Sequence, residues 1–331
     1  MQHRNQTELP RSMPDLLVTG GSGFVGQRLV RTLASRGHSI VSMYHHRLPE
    51  THLQVFPVCS DMGSPELLAA PLRGISTVVH LAWEGGLAGP PEQTGWDFNQ
   101  PERLSKNIRI LQNLIAAMEK AGTKRIVFVS ALGASRQSRV PFLMEKYLAE
   151  FLILNSKIKE KIILRSGVLS CAQERSDRFV RSISRLMTYP MVYPVPRLAE
   201  TIAPLHVDDL VASLADCCFH DLGVSHGAIV EVTGQENYKL DELFRLVCDS
   251  VAGGGRLALK GFLGDSLLPL FEREKRNEPR MQPKLRHFLD IGKKPSPATQ
   301  RDNPLADVIP ESMHSFRKAI TDGKPDLPSS V

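Results

Sequence analysis

Residues 15 to 33 read DLLVTGGSGFVGQRLVRTL, placing glycines 20, 23 and 26 three apart between an apolar strand candidate and a helix candidate. In such a turn, glycine allows the chain to reverse tightly, lets backbone approach a pyrophosphate, and packs the helix against the strand. The start of the helix adds free N–H groups that attract anionic oxygens. Val25, Leu29 and Leu33 keep helical spacing, and Gly37 supplies a stop before the next apolar run, SIVSMY. The segment is therefore a βαβ unit with a dinucleotide-type phosphate loop, whose candidate contacts are Gly20, Gly23, Phe24, Val25 and Gly26.

The alternation continues through VFPVC, a Pro65-led helix to Leu72, the strand TVVHLA, a helix from about Pro101 to Ala121, and the strand RIVFVS. Leu104, Ile108, Leu111, Ile115 and Met118 form the apolar stripe of that second long helix, and Gly122 ends it. Nearly continuous apolar strands separated by helices predict an α/β fold, a Rossmann-type doubly wound parallel sheet covered on both faces. The expected organisation is a polar tail over 1–14, a nucleotide-binding domain over 15–165, a smaller mixed region over 166–291 that completes the sheet and substrate cleft, and a Pro-rich polar tail over 292–331. Helices are expected near Asp208 and from about Leu240 to Val251.

The 331 residues are 42% hydrophobic, enough for a large core, and carry no apolar run of membrane-spanning length and no apolar secretory leader. A cytoplasmic chain is expected. Its formal charge of +6 suits anionic ligands or peripheral contact with an anionic membrane, yet the scattered lysines and arginines form no arm for nucleic acid. The five cysteines, at 59, 171, 217, 218 and 248, show neither metal-ligand spacing nor the even count of a disulfide framework, so reduced and mostly buried thiols are expected. No metal is expected, and the sequence names no protein partner or oligomeric state.

The second strand ends YHHR, where an acidic residue would otherwise receive the ribose hydroxyls of NAD(H). His45, His46 and Arg47 suit a 2′-phosphate better, which favours NADP(H) over NAD(H), with an ordinary solvated basic turn as the alternative.

Taken in order, TGGSGFVG, VCSDM, VVHLAW, NIRILQNLIAA, RIVFVSALGAS and HVDDL resemble the extended and atypical branches of the short-chain dehydrogenase/reductase superfamily over roughly residues 15 to 250. That includes its epimerase/dehydratase-like members and the NAD(P)H-binding accessory subunit of respiratory complex I. The resemblance implies that Asp61, with Met62 beside it, contacts the adenine, that His80, Leu81 and Ala82 line the cofactor cleft, and that Asn107 is the family's helix asparagine. Asp61 can equally serve as a turn residue ahead of SPELL.

Family members that perform redox or epimerase chemistry carry Tyr-x-x-x-Lys on a helix and a Ser or Thr after the preceding strand. A lysine ammonium beside the phenol lowers its pKa, so the phenol can exchange a proton with a substrate oxygen. Here the matching span is Phe142-Leu143-Met144-Glu145-Lys146. Lys146 is retained for cofactor positioning, while Phe142 has no hydroxyl and Tyr147, one residue on, faces another direction. Ser130 falls one position before the family's active serine, and Ala131 occupies that position. In HVDDL, His206 is expected to position ligand near the cleft mouth, with Asp208 or Asp209 capping the next helix.

Two readings stay open. One is an NADP(H)-dependent oxidoreductase or epimerase-like enzyme acting on a small carbonyl or sugar-like substrate, its proton supplied by substrate, water, His80, Glu84 or Ser130. The other is a cofactor-binding accessory, assembly or regulatory protein without turnover. The loop EGGLAGPPEQTGWDFNQ, with Trp83 and Trp96 near its ends, is expected to cover or contact substrate.

Overall fold

The computed structural model describes residues 14–49, 52–83, 105–138, 140–171, 180, 192–195, 201–219, 227–252, 257–260 and 314–315. Glu84, Trp96, the glycine-rich loop around them and nearly all of the proline-rich tail lie outside these residues.

Eleven strands are described: β1 (Leu16–Thr19), β2 (Ile40–Tyr44), β3 (Val55–Cys59), β4 (Thr77–His80), β5 (Arg125–Ala131), β6 (Glu160–Ser166), β7 (Leu169–Ser170), β8 (Val192–Val195), β9 (Leu205–His206), β10 (Ala228–Val232) and β11 (Leu257–Lys260). Seven form one sheet in the order β10-β6-β5-β4-β1-β2-β3, with every pairing parallel. From β1 the chain winds outward to β2 and β3, then returns to pair β4 against the other edge of β1. That reversal makes the carboxyl ends of β1 and β4 a topological switch point, where an open α/β sheet leaves its ligand crevice. β10 adds the seventh strand from beyond residue 165, with Ala228 beside Ile162 and Val232 beside Ser166.

Parallel strands need crossover helices, and these bury both faces of the sheet. On one face α1 (Phe24–Ser35) lies beside α4 (Val207–Phe219), with Leu29, Val30, Leu33, Leu210 and Leu214 in a common core. On the other, α2 (Lys106–Ala121) and α3 (Pro141–Leu154) cover Leu17, Val78, Ile126 and Phe128. The α2 stripe expected from sequence is buried at Ile108, Leu111, Ile115 and Met118, each burial stabilising by about 1.5–3 kcal/mol. Ser105 caps this helix by accepting from the Ile108 N–H, and Gly122 closes it with φ of 73°. A further helix, α5, spans Leu240–Ala252.

The helix expected from Pro65 to Leu72 is shorter: a 3₁₀ turn over Pro65–Leu68. Pro71 brings a ring and no N–H where an α-helix would need both room and a donor. Cys59, Cys171, Cys217 and Cys218 are free thiols, the last three buried. Among the described residues no helix is long and apolar enough to cross a membrane.

Candidate functional site

The switch-point crevice is a cleft of about 400 Å³. The glycine loop and start of α1 form one wall, with Gly20, Gly23, Phe24, Val25 and Gly26; Leu81 and Trp83 follow β4; Ser130 and Ala131 end β5; Phe142 and Lys146 come from α3. Eleven residues that the sequence scatters over 127 positions (20 to 146) thus meet at one place.

The loop geometry explains its glycines. Gly20 has φ of 69°, and a Cβ there would stand 2.7 Å from the Ala82 nitrogen, so the loop can lie against the end of β4. At Gly26 a Cβ would approach the Gly20 carbonyl oxygen to 2.2 Å, so α1 packs onto the turn through bare backbone. Gly23 is the N-cap of α1, with no side chain capping the helix and no acidic residue in its first turn. Its added Cβ would reach 3.1 Å from the Gly20 oxygen, filling the space over the helix N-terminus. These features fit the pyrophosphate of a dinucleotide, held by first-turn N–H groups and the helix dipole.

Thr19, which the sequence reading passed over, organises the β4 end. Its hydroxyl oxygen accepts from the Leu81 and Ala82 N–H groups at 3.2 and 3.3 Å and sits 2.8 Å from His80 Nδ1. Because that oxygen is already accepting, its own proton goes to Nδ1, leaving the His80 proton on Nε2. The ring is 1% exposed, stacks on Phe128, and is not part of the cleft wall. Burial, with the Lys146 charge as a second cause, lowers its pKa to about 3, so His80 is neutral. It is a packed strand residue, not a group that opens to the cleft.

Lys146 and Phe142 share a face of α3, as their spacing requires, with the ammonium 5.7 Å from the phenyl centroid. Lys146 Nζ donates to the Val129 carbonyl at 2.9 Å and lies over the Trp83 ring at 3.7 Å and the Phe128 ring at 4.6 Å. Burial brings its pKa down to about 7, against the opposing pull of the Glu145 and Glu150 carboxylates. Asn107 donates to Glu145 Oε2 at 3.3 Å and so links α2 to α3 rather than lining the cleft. Burial raises the Glu145 pKa, countered by hydrogen bonds from Ser105 and Asn107.

Ser130 is committed elsewhere. Its hydroxyl donates to Glu150 Oε1 at 2.5 Å, and Glu150 is clasped by Arg165 Nε at 2.9 Å and Nη2 at 2.6 Å. Neither Glu150 nor Arg165 was singled out from sequence. The available signal was a charged residue inside each of two apolar runs, YLAEFLIL and KIILRS, which burial makes tolerable only as a pair.

Arg47 is exposed past β2 beside His45 and His46, whose rings lie 3.8 Å apart. Asp61 is exposed and accepts from the Gly63 N–H at 2.9 Å, while Asn113 of α2 donates to the Met62 and Gly63 carbonyls. A Cys59–His45 contact of 3.5 Å, thiol to carbonyl, ties the end of β3 to the turn after β2. Asp61 thus makes the turn bond, and Arg47, Asp61 and Met62 stand apart from the cleft wall that holds Lys146.

His206 is half-buried on β9 with its pKa lowered, first by burial. α4 begins at Val207, so Asp208 and Asp209 fall in its first turn. Asp209 accepts from the N–H and Nδ1 of His314, a partner that the sequence did not disclose.

A protein-family model described as NAD(P)H-binding matches residues 20–174, the span that builds this cleft. The 3-beta-hydroxysteroid dehydrogenase of Mycolicibacterium neoaurum is 36% identical over 119 residues, covering 35% of this chain and 31% of that protein. The chain therefore spans about a third of the length of that relative. Subunit 9 of the NADH dehydrogenase [ubiquinone] 1 alpha subcomplex, from Arabidopsis thaliana mitochondria, is 26% identical over 244 residues, covering 71% of this chain and 57% of that one. In fold, the Escherichia coli NADPH-dependent quinone oxidoreductase, solved with NADPH, superposes with a TM-score of 0.65 at 16% identity over 93% of this chain and 99% of that chain. The NAD(P)H-binding match thus falls on the Rossmann-type sheet and on the residues that line this cleft.

Proposed function

We propose that this chain is an atypical member of the short-chain dehydrogenase/reductase superfamily that binds NADP(H) as an accessory or sensing protein and does not use the superfamily's tyrosine-dependent chemistry, a reading that the NAD(P)H-binding match over residues 20–174 supports. One observation carries this reading: at the cleft wall where a substrate oxygen would be polarised stand the phenyl of Phe142, the methyl of Ala131, and a Ser130 hydroxyl already donated to Glu150. None of these offers a proton to a substrate. In the proposed complex the α1 N-terminus and Gly23 hold the pyrophosphate, Lys146 positions the nicotinamide ribose, and Arg47 with His45 and His46 receives the 2′-phosphate. The bound nicotinamide would supply hydride chemistry; the chain's residues bind it, orient it and exclude water. Residues 15–165 would carry the cofactor and 166–291 the facing side of the cleft, in a cytoplasmic protein.

A second reading, turnover of a small carbonyl substrate, draws on Lys146 itself. It is the titratable side chain among the described cleft-lining residues, and at a pKa of about 7 it can exchange a proton near neutrality. Titration of the full chain with NADPH and with NADH, followed by nucleotide fluorescence, tests the first claim, and NADPH oxidation over a panel of small aldehydes and ketones tests the second. Tighter NADPH binding with negligible oxidation is expected. Steady turnover that persists in Phe142→Leu and stops in Lys146→Met would replace the accessory reading with the catalytic one.

A further inference from the structure

Beside α1, away from the cleft wall, three potential ligand side chains converge from separate parts of the chain. His206 ends β9, Asp208 opens α4, and His314 comes from 106 residues beyond Asp208; one ligand atom from each lies within 4.8 Å of the others. His206 Nδ1 is 3.7 Å from Asp208 Oδ2, close to the ~3.3 Å that separates two ligands at ~2.0 Å from one tetrahedral ion, and it accepts the Asp208 backbone N–H at 3.3 Å, a bond that an ion on Nδ1 would displace. The two imidazoles stack with centroids 4.5 Å apart.

What surrounds these groups is arranged as ligand support. Asp209, with its side chain 3% exposed, binds His314 Nδ1 at 2.6 Å and also accepts the His314 backbone N–H at 3.0 Å. A buried carboxylate on one ring nitrogen fixes the tautomer and turns the other nitrogen outward as a lone pair, the usual outer-sphere partner of a metal-bound histidine. Arg28 Nε lies 3.6 Å from Asp208 Oδ1, which steadies that carboxylate through one oxygen and leaves Oδ2 on the His206 side. Asp208 and His314 are more than half exposed in their side chains, so an ion and a completing water have access.

We propose that His206, Asp208 and His314 form a binding site for a divalent transition metal of the zinc type, with Asp209 as the outer-sphere carboxylate that orients His314. Two imidazoles and a carboxylate suit zinc, and exclude the all-oxygen preference of calcium or magnesium. The ion clips the segment at residue 314 to the β9–α4 junction. Through Arg28, which also lies over the Phe24 ring at 4.5 Å, the clip abuts the helix that carries the phosphate loop.

The test is calorimetric titration of the metal-free full chain with Zn²⁺, repeated with Co²⁺ to read ligand geometry from its visible absorption. One equivalent should bind, raise Tm, and give the intense band of four-coordinate cobalt. His314→Ala and Asp208→Asn should each weaken binding by at least ~10-fold, and Asp209→Asn by ~10–100-fold through loss of orientation alone. His52→Ala, at an exposed histidine outside the cluster, should leave zinc affinity unchanged. Should His314→Ala fail to fold, Asp208→Asn at an exposed position carries the same comparison. No bound equivalent, or equal affinity in wild type, His314→Ala and Asp208→Asn, would overturn the site.

Discussion

The Ser130 hydroxyl and the Glu150 carboxylate lie 2.5 Å apart inside the sheet–α3 interface, and the same carboxylate is forked by Arg165. Arg165 also reaches Glu231 at 3.7 Å, so β5, α3, β6 and β10 share one buried polar network. The guanidinium keeps its charge, since the Glu150 hydrogen bonds raise its pKa more than burial lowers it.

Replacing Glu150 with Ala strands a half-buried guanidinium, and breaking such a pair costs about 3–5 kcal/mol. Ser130→Ala leaves the ion pair intact and removes one hydrogen bond, about 1 kcal/mol. Urea denaturation of both variants should therefore separate them clearly, with NADPH affinity little changed in folded Ser130→Ala. Equal, small losses would mean the network contributes nothing as a unit.

Two glycines of the phosphate loop should fail in different ways. Gly23→Val places a side chain over the α1 N-terminus, where the added Cβ meets only the Gly20 oxygen at 3.1 Å, so the protein should fold and lose dinucleotide binding. Gly26→Val drives its Cβ to 2.2 Å from that oxygen and 2.9 Å from Gly21 Cα, both rigid backbone, so it should lower Tm as well. Circular dichroism melts alongside nucleotide titrations distinguish the two outcomes.

The sheet was legible because parallel strands write themselves as apolar runs and crossover helices as stripes. The phosphate loop was legible because its glycines are required by local backbone approach. The site's remaining wall was not. The fixing of Ser130 by Glu150, the Thr19 contact that sets the His80 tautomer, and the Asp209–His314 pair join residues 20, 61 and 105 positions apart, and nothing in local periodicity records such contacts. The replacement of tyrosine by Phe142 could be read, since it rests on spacing along one helix. Where Lys146 Nζ points could not, because Trp83 and Val129 reach it from other elements.

Arg47→Ala should weaken NADPH more than NADH. Arg47 is exposed at the end of β2, where its charge can meet a 2′-phosphate that NADH lacks, and a charge-assisted hydrogen bond contributes about 1.5–3 kcal/mol. Equal weakening of both nucleotides would remove Arg47 from the 2′-phosphate site.

Lys146 makes stability depend on alkaline pH. Its folded pKa of about 7 lies below the usual 10.5, so between these values the unfolded chain holds a proton that the folded one has released. Folded stability then rises with pH through that window. Lys146→Met removes the titration, so its advantage over wild type should be largest near pH 7 and fade towards pH 10.5. Denaturant melts at the two ends of the window measure this. A difference that stays constant with pH would show that the aromatic faces of Trp83 and Phe128 keep the ammonium charged throughout.

Phe142→Tyr puts a phenol on the cleft wall in a ring whose centre is 5.7 Å from Lys146 Nζ. A nearby ammonium lowers a phenol pKa, which is the condition for proton exchange with a carbonyl oxygen. The phenol alone has no hydroxyl partner opposite it, because Ala131 presents a methyl and Ser130 is bound to Glu150. Phe142→Tyr should therefore leave NADPH affinity nearly unchanged and add little activity, whereas Phe142→Tyr with Ala131→Ser should give a measurable gain in NADPH-dependent carbonyl reduction. A gain of the same size in the single variant would show that the cleft needs no second hydroxyl to polarise its substrate.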